Sequence, residues 1–164
     1  MIKITLAHSK EDFKLIEKLA NIVWTEHYTP IIGKQQVDYM LDKFQSVHSM
    51  QNQVKNGAIY YLISYKNQPV GYFSFTVNTD YLFLSKLYVL SDVRGHGIGR
   101  DAYNYLEQKS KELGLSKIQL TVNKYNTNSI KIYEKMGFIK TDAIVQDIGK
   151  GYVMDDYVMI KSGF

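Results

Sequence analysis

Cysteine is absent from the 164 residues. That excludes a disulfide framework, a thiolate metal site and a cysteine nucleophile. Proline occurs twice and tryptophan once. No apolar run approaches the roughly 20 residues that a membrane-spanning helix needs, so no membrane partner is expected. Charge of one sign is also scarce. The net charge is +4 with a pI near 9.0. This suits an anionic ligand, but Lys109, Lys111 and Lys117 are too few for the basic stripe of a nucleic-acid binder. Met1-Ile2-Lys3-Ile4-Thr5 alternates like a strand and lacks a signal-peptide core. A soluble, cytoplasmic protein is the expectation.

What the chain has is apolar and aromatic mass. Residues of the apolar classes make up 45% of it, including fourteen tyrosines. A chain of this length and composition can bury the core of one domain, residues 1–164. Ile2, Ile4 and Leu6 alternate with polar residues and predict a first strand. Ser9 with Asp12 marks a helix start. Phe13, Ile16, Leu19, Ala20 and Val23 form one face of that helix, expected to stop near Thr25 because Pro30 follows. Val37, Met40, Leu41, Phe44, Val47, Met50 and Val54 predict a second helical region, kinked around Ser46 to Ser49. Of these, Met40, Phe44 and Met50 are expected in the core.

Strands are predicted at Ala58–Tyr65, Val70–Val77 and Tyr81–Leu90, then at Lys117–Val122, Phe138–Val145 and Tyr157–Lys161. A flexible Asp147–Gly151 stretch and Tyr152–Asp156 would join the last two. The order β-α-α-β-β-β-α-β-α-β-β reads as α/β (α+β), one mixed sheet of about seven strands with helices on both faces.

The chemistry concentrates in Leu84–Leu106. Ser85–Leu90 reads as a strand, Arg94-Gly95-His96-Gly97-Ile98-Gly99 as a glycine turn, and the residues from Ile98 onward as a helix ending near Gly114. A strand passing through a glycine turn into a helix aims free N–H groups along a positive dipole end, where phosphate binds. The spacing is not G-x-G-x-x-G, since Arg100 stands after Gly99, and no Gly-Lys-Ser/Thr triplet exists for a P-loop.

Arg94-x-x-Gly97-x-Gly99 resembles the acyl-CoA pyrophosphate loop of the GCN5-related N-acetyltransferases, the GNAT superfamily. Leu120-Thr121-Val122-Asn123 through Asn126, Ser129, Tyr133 and Gly137-Phe138 resembles that family's other cofactor segment. Both occur in the expected order, and the element order agrees over nearly the whole chain. Asn126-Thr127-Asn128-Ser129-Ile130 is also similar to bacterial polyamine (spermidine/spermine) acetyltransferases.

The resemblance implies the GNAT acyl-CoA N-acyltransferase fold, mostly antiparallel, with splayed fourth and fifth strands. It implies direct acetyl transfer from acetyl-CoA, the one co-substrate, to a primary amine, a small cationic, polyamine-like amine being favoured. No metal is expected, and a homodimer is left open. Backbone groups of Leu87, Tyr88 and Val89 would hold the pantetheine arm. Arg94, Gly95, His96, Gly97, Ile98, Gly99 and Arg100 would cradle the pyrophosphate, with His96 facing outward. Arg94 and Arg100 add charge or lie in solvent. Asn126 and Ser129 would contact the cofactor, and Tyr133 would serve the leaving sulfur.

Free tyrosine titrates near 10 and a thiol near 8.5, so full proton transfer from Tyr133 is uphill by about 2 kcal/mol. Its pKa is therefore lowered, or it only hydrogen-bonds the thiolate. Trp24, Glu26, Tyr28, Asp155 and Asp156 would build the acceptor side, beside His27, with Glu26 or ordered water as base. Asp155-Asp156 reads, slightly more readily, as a solvated turn. Two other readings remain: transfer to a protein N-terminus or lysine, and an acyl-CoA sensor without turnover.

Overall fold

A computed structural model describes residues 2–164; Met1 of the expected first strand lies outside them. The strands are β1 (Ile2–Leu6), β2 (Ile59–Tyr65), β3 (Gln68–Val77), β4 (Leu82–Val89), β5 (Lys117–Asn123), β6 (Ile139–Gly149) and β7 (Tyr152–Ser162). The helices are α1 (Lys10–Ile32), α2 (Lys34–Gln45), α3 (Val47–Lys55), α4 (Ile98–Glu112) and α5 (Thr127–Lys135). One seven-stranded sheet runs β1-β2-β3-β4-β5-β7-β6. Its neighbours pair antiparallel except β4 and β5, which are parallel.

Alternation along the strands divides the core in two. Ile63, Phe73, Phe75, Leu82 and Leu84 face α4 and α5, meeting Ile98, Ala102, Leu106 and Ile130. Tyr60, Leu62 and Tyr72 face α1 and α2, meeting Phe13, Ile16, Trp24, Val37 and Met40.

Ser9 caps α1 as expected. Its side chain accepts the Asp12 N–H while Asp12 accepts the Ser9 N–H in return. The expected stop near Thr25 is corrected. The helix continues through Pro30 to Ile32 and ends at Gly33, where φ is +84°. Pro30 sits in the final turn, where it forfeits one hydrogen bond, to the Glu26 carbonyl. The turns before it bury Val23 and Trp24, and that packing holds the helix together. The expected kink is a full break at Ser46, whose Oγ accepts the Ser49 N–H at 3.2 Å.

The last two strands are longer than expected. Asp147–Ile148–Gly149 belongs to β6, and Tyr152–Asp156 belongs to β7. The stretch expected to be flexible is tied to α2. Tyr39 and Lys43 both donate to the Ile148 carbonyl, and Gln36 donates to the Val153 carbonyl at 2.8 Å. Gly149 takes φ of +99° there, a conformation that favours glycine, and a Cβ would lie 2.5 Å from the Tyr39 hydroxyl.

Candidate acetyl-transfer site

β4 and β5 pair only at Leu82–Leu84 with Ile118–Leu120. Beyond those three residue pairs the strands part, leaving the rest of β4 open on one edge. The Leu90 N–H donates to Val70 across β3, so alternation turns the main-chain groups of Leu87 and Val89 into the gap. The other rim of the gap is Thr121–Asn123.

The glycine loop lies at the open end. From Gly95 to Arg100 no backbone N–H donates to another protein group, and α4 has no side-chain cap. Gly95 and Gly97 take φ of +87° and +74°, a conformation that favours glycine. A Cβ at Gly95, Gly97 or Gly99 would meet nothing within 4 Å, so the space above the loop is clear. Unpartnered donors at a helix N-terminus beneath open space fit a pyrophosphate. His96 is exposed, with its ring 5.4 Å from that of Tyr65.

Gap and loop belong to one cleft of about 1160 Å³ that passes between the strands to the α1–α2 side. Leu87, Tyr88, Val89, the whole Arg94–Arg100 loop, Asn126, Ser129 and Tyr133 all line it. The structure thus brings together every residue expected to hold the cofactor.

Asn126 caps α5 weakly, its Oδ1 accepting the Ser129 N–H at 3.4 Å. Its amide nitrogen therefore faces His27 Nε2, at 2.9 Å. That assigns the neutral imidazole as acceptor, with its proton on Nδ1. Burial lowers the His27 pKa, and the nearby Arg94 guanidinium adds to that. Tyr133 lies edge-on to Phe138. Burial pushes its pKa well above the ordinary tyrosine value, and Tyr28 pushes it further. A raised pKa runs against the option of a lowered one, and the Tyr133 ring lines the cleft.

The acceptor-side residues are dispersed. Trp24 is buried, and its Nε1–H is taken by the Tyr72 hydroxyl at 3.1 Å, so it offers the cleft an aromatic wall alone. The Tyr28 and Tyr88 hydroxyls are 2.8 Å apart, and burial raises the Tyr28 pKa to about 12. Glu26 is corrected: its carboxylate is exposed, accepts from Ser91 Oγ at 2.9 Å and does not line the cleft. Asp155 is likewise outside, paired with Lys124 at 2.8 Å. Asp156 is no solvated turn residue. It is 6% exposed in β7 and lines the cleft. Burial raises its pKa to about 6, with repulsion from Asp155 adding and Lys124 opposing.

Sequence patterning gave no role to Gln36, Met154 or Lys86, which line the α1–α2 side, nor to His27 as partner of Asn126. Met40 and Phe44 line the cleft besides packing in the core, whereas Met50 is fully buried. Among the described residues no acidic or histidine cluster is arranged to hold a metal ion. No helix among them is long and apolar enough to cross a membrane.

The model of the acetyltransferase (GNAT) family matches residues 16–138. The chain belongs to the GNAT family. Solved GNAT structures share its fold at low sequence identity. The PaiA N-acetyltransferase of Thermoplasma acidophilum, in complex with coenzyme A, is 20% identical with a TM-score of 0.83, covering 99% of both chains. The ribosomal-protein-S18-alanine N-acetyltransferase of Escherichia coli is 15% identical with a TM-score of 0.73, covering 99% of this chain and 94% of the other. An Arabidopsis thaliana protein in complex with the bisubstrate analogue CoA-Ac-MVNAL is 20% identical with a TM-score of 0.68, covering 99% of both. The parted parallel strands and the glycine loop are thus features of a GNAT domain.

Proposed function

We propose that this GNAT domain transfers an acetyl group from acetyl-CoA directly to a primary amine. One observation carries the reading: the gap between β4 and β5 opens at the end where the Gly95–Arg100 N–H groups are free. The loop would take the pyrophosphate, with Arg94 and Arg100 beside it. The turned-out main-chain groups of Leu87 and Val89 would bond the pantetheine amides. The Val89 N–H is the donor we assign to the oxygen that gains charge as the amine attacks. A new C–N bond forms, the C–S bond breaks, and the Tyr133 hydroxyl donates to the departing thiolate.

The amine must lose a proton, and Asp156 is the buried carboxylate of the cleft that can take it. Its raised pKa leaves it ionised at neutral pH yet more basic than an ordinary aspartate. His27 is less suited, because its Nε2 is committed to Asn126. The β6–β7 hairpin is held on α2 and lines the cleft through Gln146, Val153 and Met154, and we take this added wall to favour a small acceptor over a protein terminus. We place the reaction in the cytoplasm, a compartment that suits a chain without disulfides.

The test is release of free coenzyme A from acetyl-CoA on addition of amines, with coenzyme A binding measured by calorimetry. Binding with release supports transfer. Binding without release by any amine supports a sensor. Absence of binding overturns the cofactor site.

A further inference from the structure

Lys86 lies on β4 between Ser85 and Leu87, and alternation turns its side chain to the α1–α2 side with Tyr88. There it lines the same cleft as Met40 and Phe44, its Nζ 5.6 Å from the centre of the Tyr60 ring. The Tyr60 hydroxyl is engaged with both Gln45 and Gln53 and makes no hydrogen bond to it. Among the described residues Lys86 makes no ion pair, whereas Lys34, Lys124 and Lys161 have Asp38, Asp155 and Glu107. Burial lowers the pKa of Lys86 to about 8, so it is mostly a cation at neutral pH. An aromatic face meets part of the need of an ammonium but leaves its N–H donors without acceptors.

On this side of the sheet the cleft therefore holds one carboxylate, Asp156, and one uncommitted ammonium, Lys86, set among Trp24, Tyr28, Met40 and Phe44. We propose that the acyl acceptor is an amine that also carries a carboxylate, an amino-acid-like zwitterion, with Lys86 holding the carboxylate while the amine meets Asp156. This rests on the cleft being the acetyl-transfer site. A polyamine would bring several cations past Lys86 and have no group for it, so the zwitterion replaces the polyamine-like acceptor that the sequence resemblance implied.

The test uses matched pairs: leucine, phenylalanine and 4-aminobutyrate, each against its analogue without the carboxylate, with spermidine as polycationic comparator. Binding to the coenzyme A-saturated protein is measured by calorimetry, and acetylation by coenzyme A release. At least one carboxylate-bearing amine should exceed its analogue by about tenfold or more in affinity and kcat/KM. Lys86→Met should bring that ratio close to one, and Lys86→Arg should restore most of it. The proposal is overturned if every analogue or spermidine does as well as the carboxylate-bearing amines. It is equally overturned if the preference survives Lys86→Met. Binding that follows this pattern without acetylation of any amine would uphold the role of Lys86 while removing the transfer reading.

Discussion

At the residue scale, burial of Asp156, the proton acceptor of the proposed reaction, comes at the expense of the fold. Its pKa is about 6 in the native protein against 3.8 for an ordinary aspartate. Between those values the native state holds more protons than the unfolded one, so stability falls as pH rises through that window and returns as pH drops. That difference corresponds to about 3 kcal/mol at most. Asp156→Asn should therefore raise the melting temperature near neutrality, with the gain vanishing at about pH 4. The same substitution should lower kcat, and wild-type kcat/KM should fall below about pH 6 as the carboxylate protonates. Full activity in the Asp156→Asn protein would remove Asp156 from the proton's path. Tyr133→Phe keeps the ring on Phe138 and deletes only the hydroxyl. We expect kcat to fall about 10- to 1000-fold with little change in KM for acetyl-CoA, single-turnover rates included. Unaltered single-turnover chemistry would reduce Tyr133 to packing.

At the scale of elements, the glycine loop separates two effects that glycines usually confound. Gly97 has φ +74°, so any side chain there brings backbone strain as well as bulk. Gly99 does not have a positive φ, and its missing Cβ faces empty space. Gly99→Ala should therefore stabilise α4 by up to about 1 kcal/mol while weakening coenzyme A binding. A rise in melting temperature with undiminished affinity would show that the phosphate does not rest there.

The same loop shows what periodicity and glycine spacing can convey. Arg94-x-x-Gly97-x-Gly99 and the strand before it were legible because a strand, a glycine turn and a helix in succession are local, built from consecutive residues. Asp156 was legible as an acid but not as a buried one. Its burial comes from pairing with Asn123 and Ile144 on neighbouring strands, far apart in sequence. Glu26 misled for the converse reason: it shares a helix with the wall residues Trp24 and Tyr28, but its side chain turns to Ser91. The run through Pro30 was hidden because a proline's effect depends on where in a helix it falls.

At the scale of the whole molecule, the proposed reaction brings both substrates to one cleft that crosses the sheet, from the α4 loop to the α1–α2 side. With no cysteine to form an acyl-thioester intermediate, transfer should pass through a ternary complex. Initial-rate plots against both substrates should intersect, and parallel lines would indicate an acyl-enzyme.

The parting of β4 from β5 has a mechanical side. A sheet normally distributes load across every rung, but here β1–β4 and β5–β7 share only three rungs before the seam opens. The Leu87 and Val89 amides hang over that seam with no strand to shield them. In the free protein they should exchange hydrogen with solvent much faster than Tyr88, whose amide faces β3. A pantetheine chain lying in the seam would supply the missing rungs. It would act as a removable strand, stitching the two halves so that bound coenzyme A slows exchange at Leu87 and Val89 together. The protein's stiffness would then follow its occupancy, loosest when a spent cofactor has left and tightest when a charged one has settled.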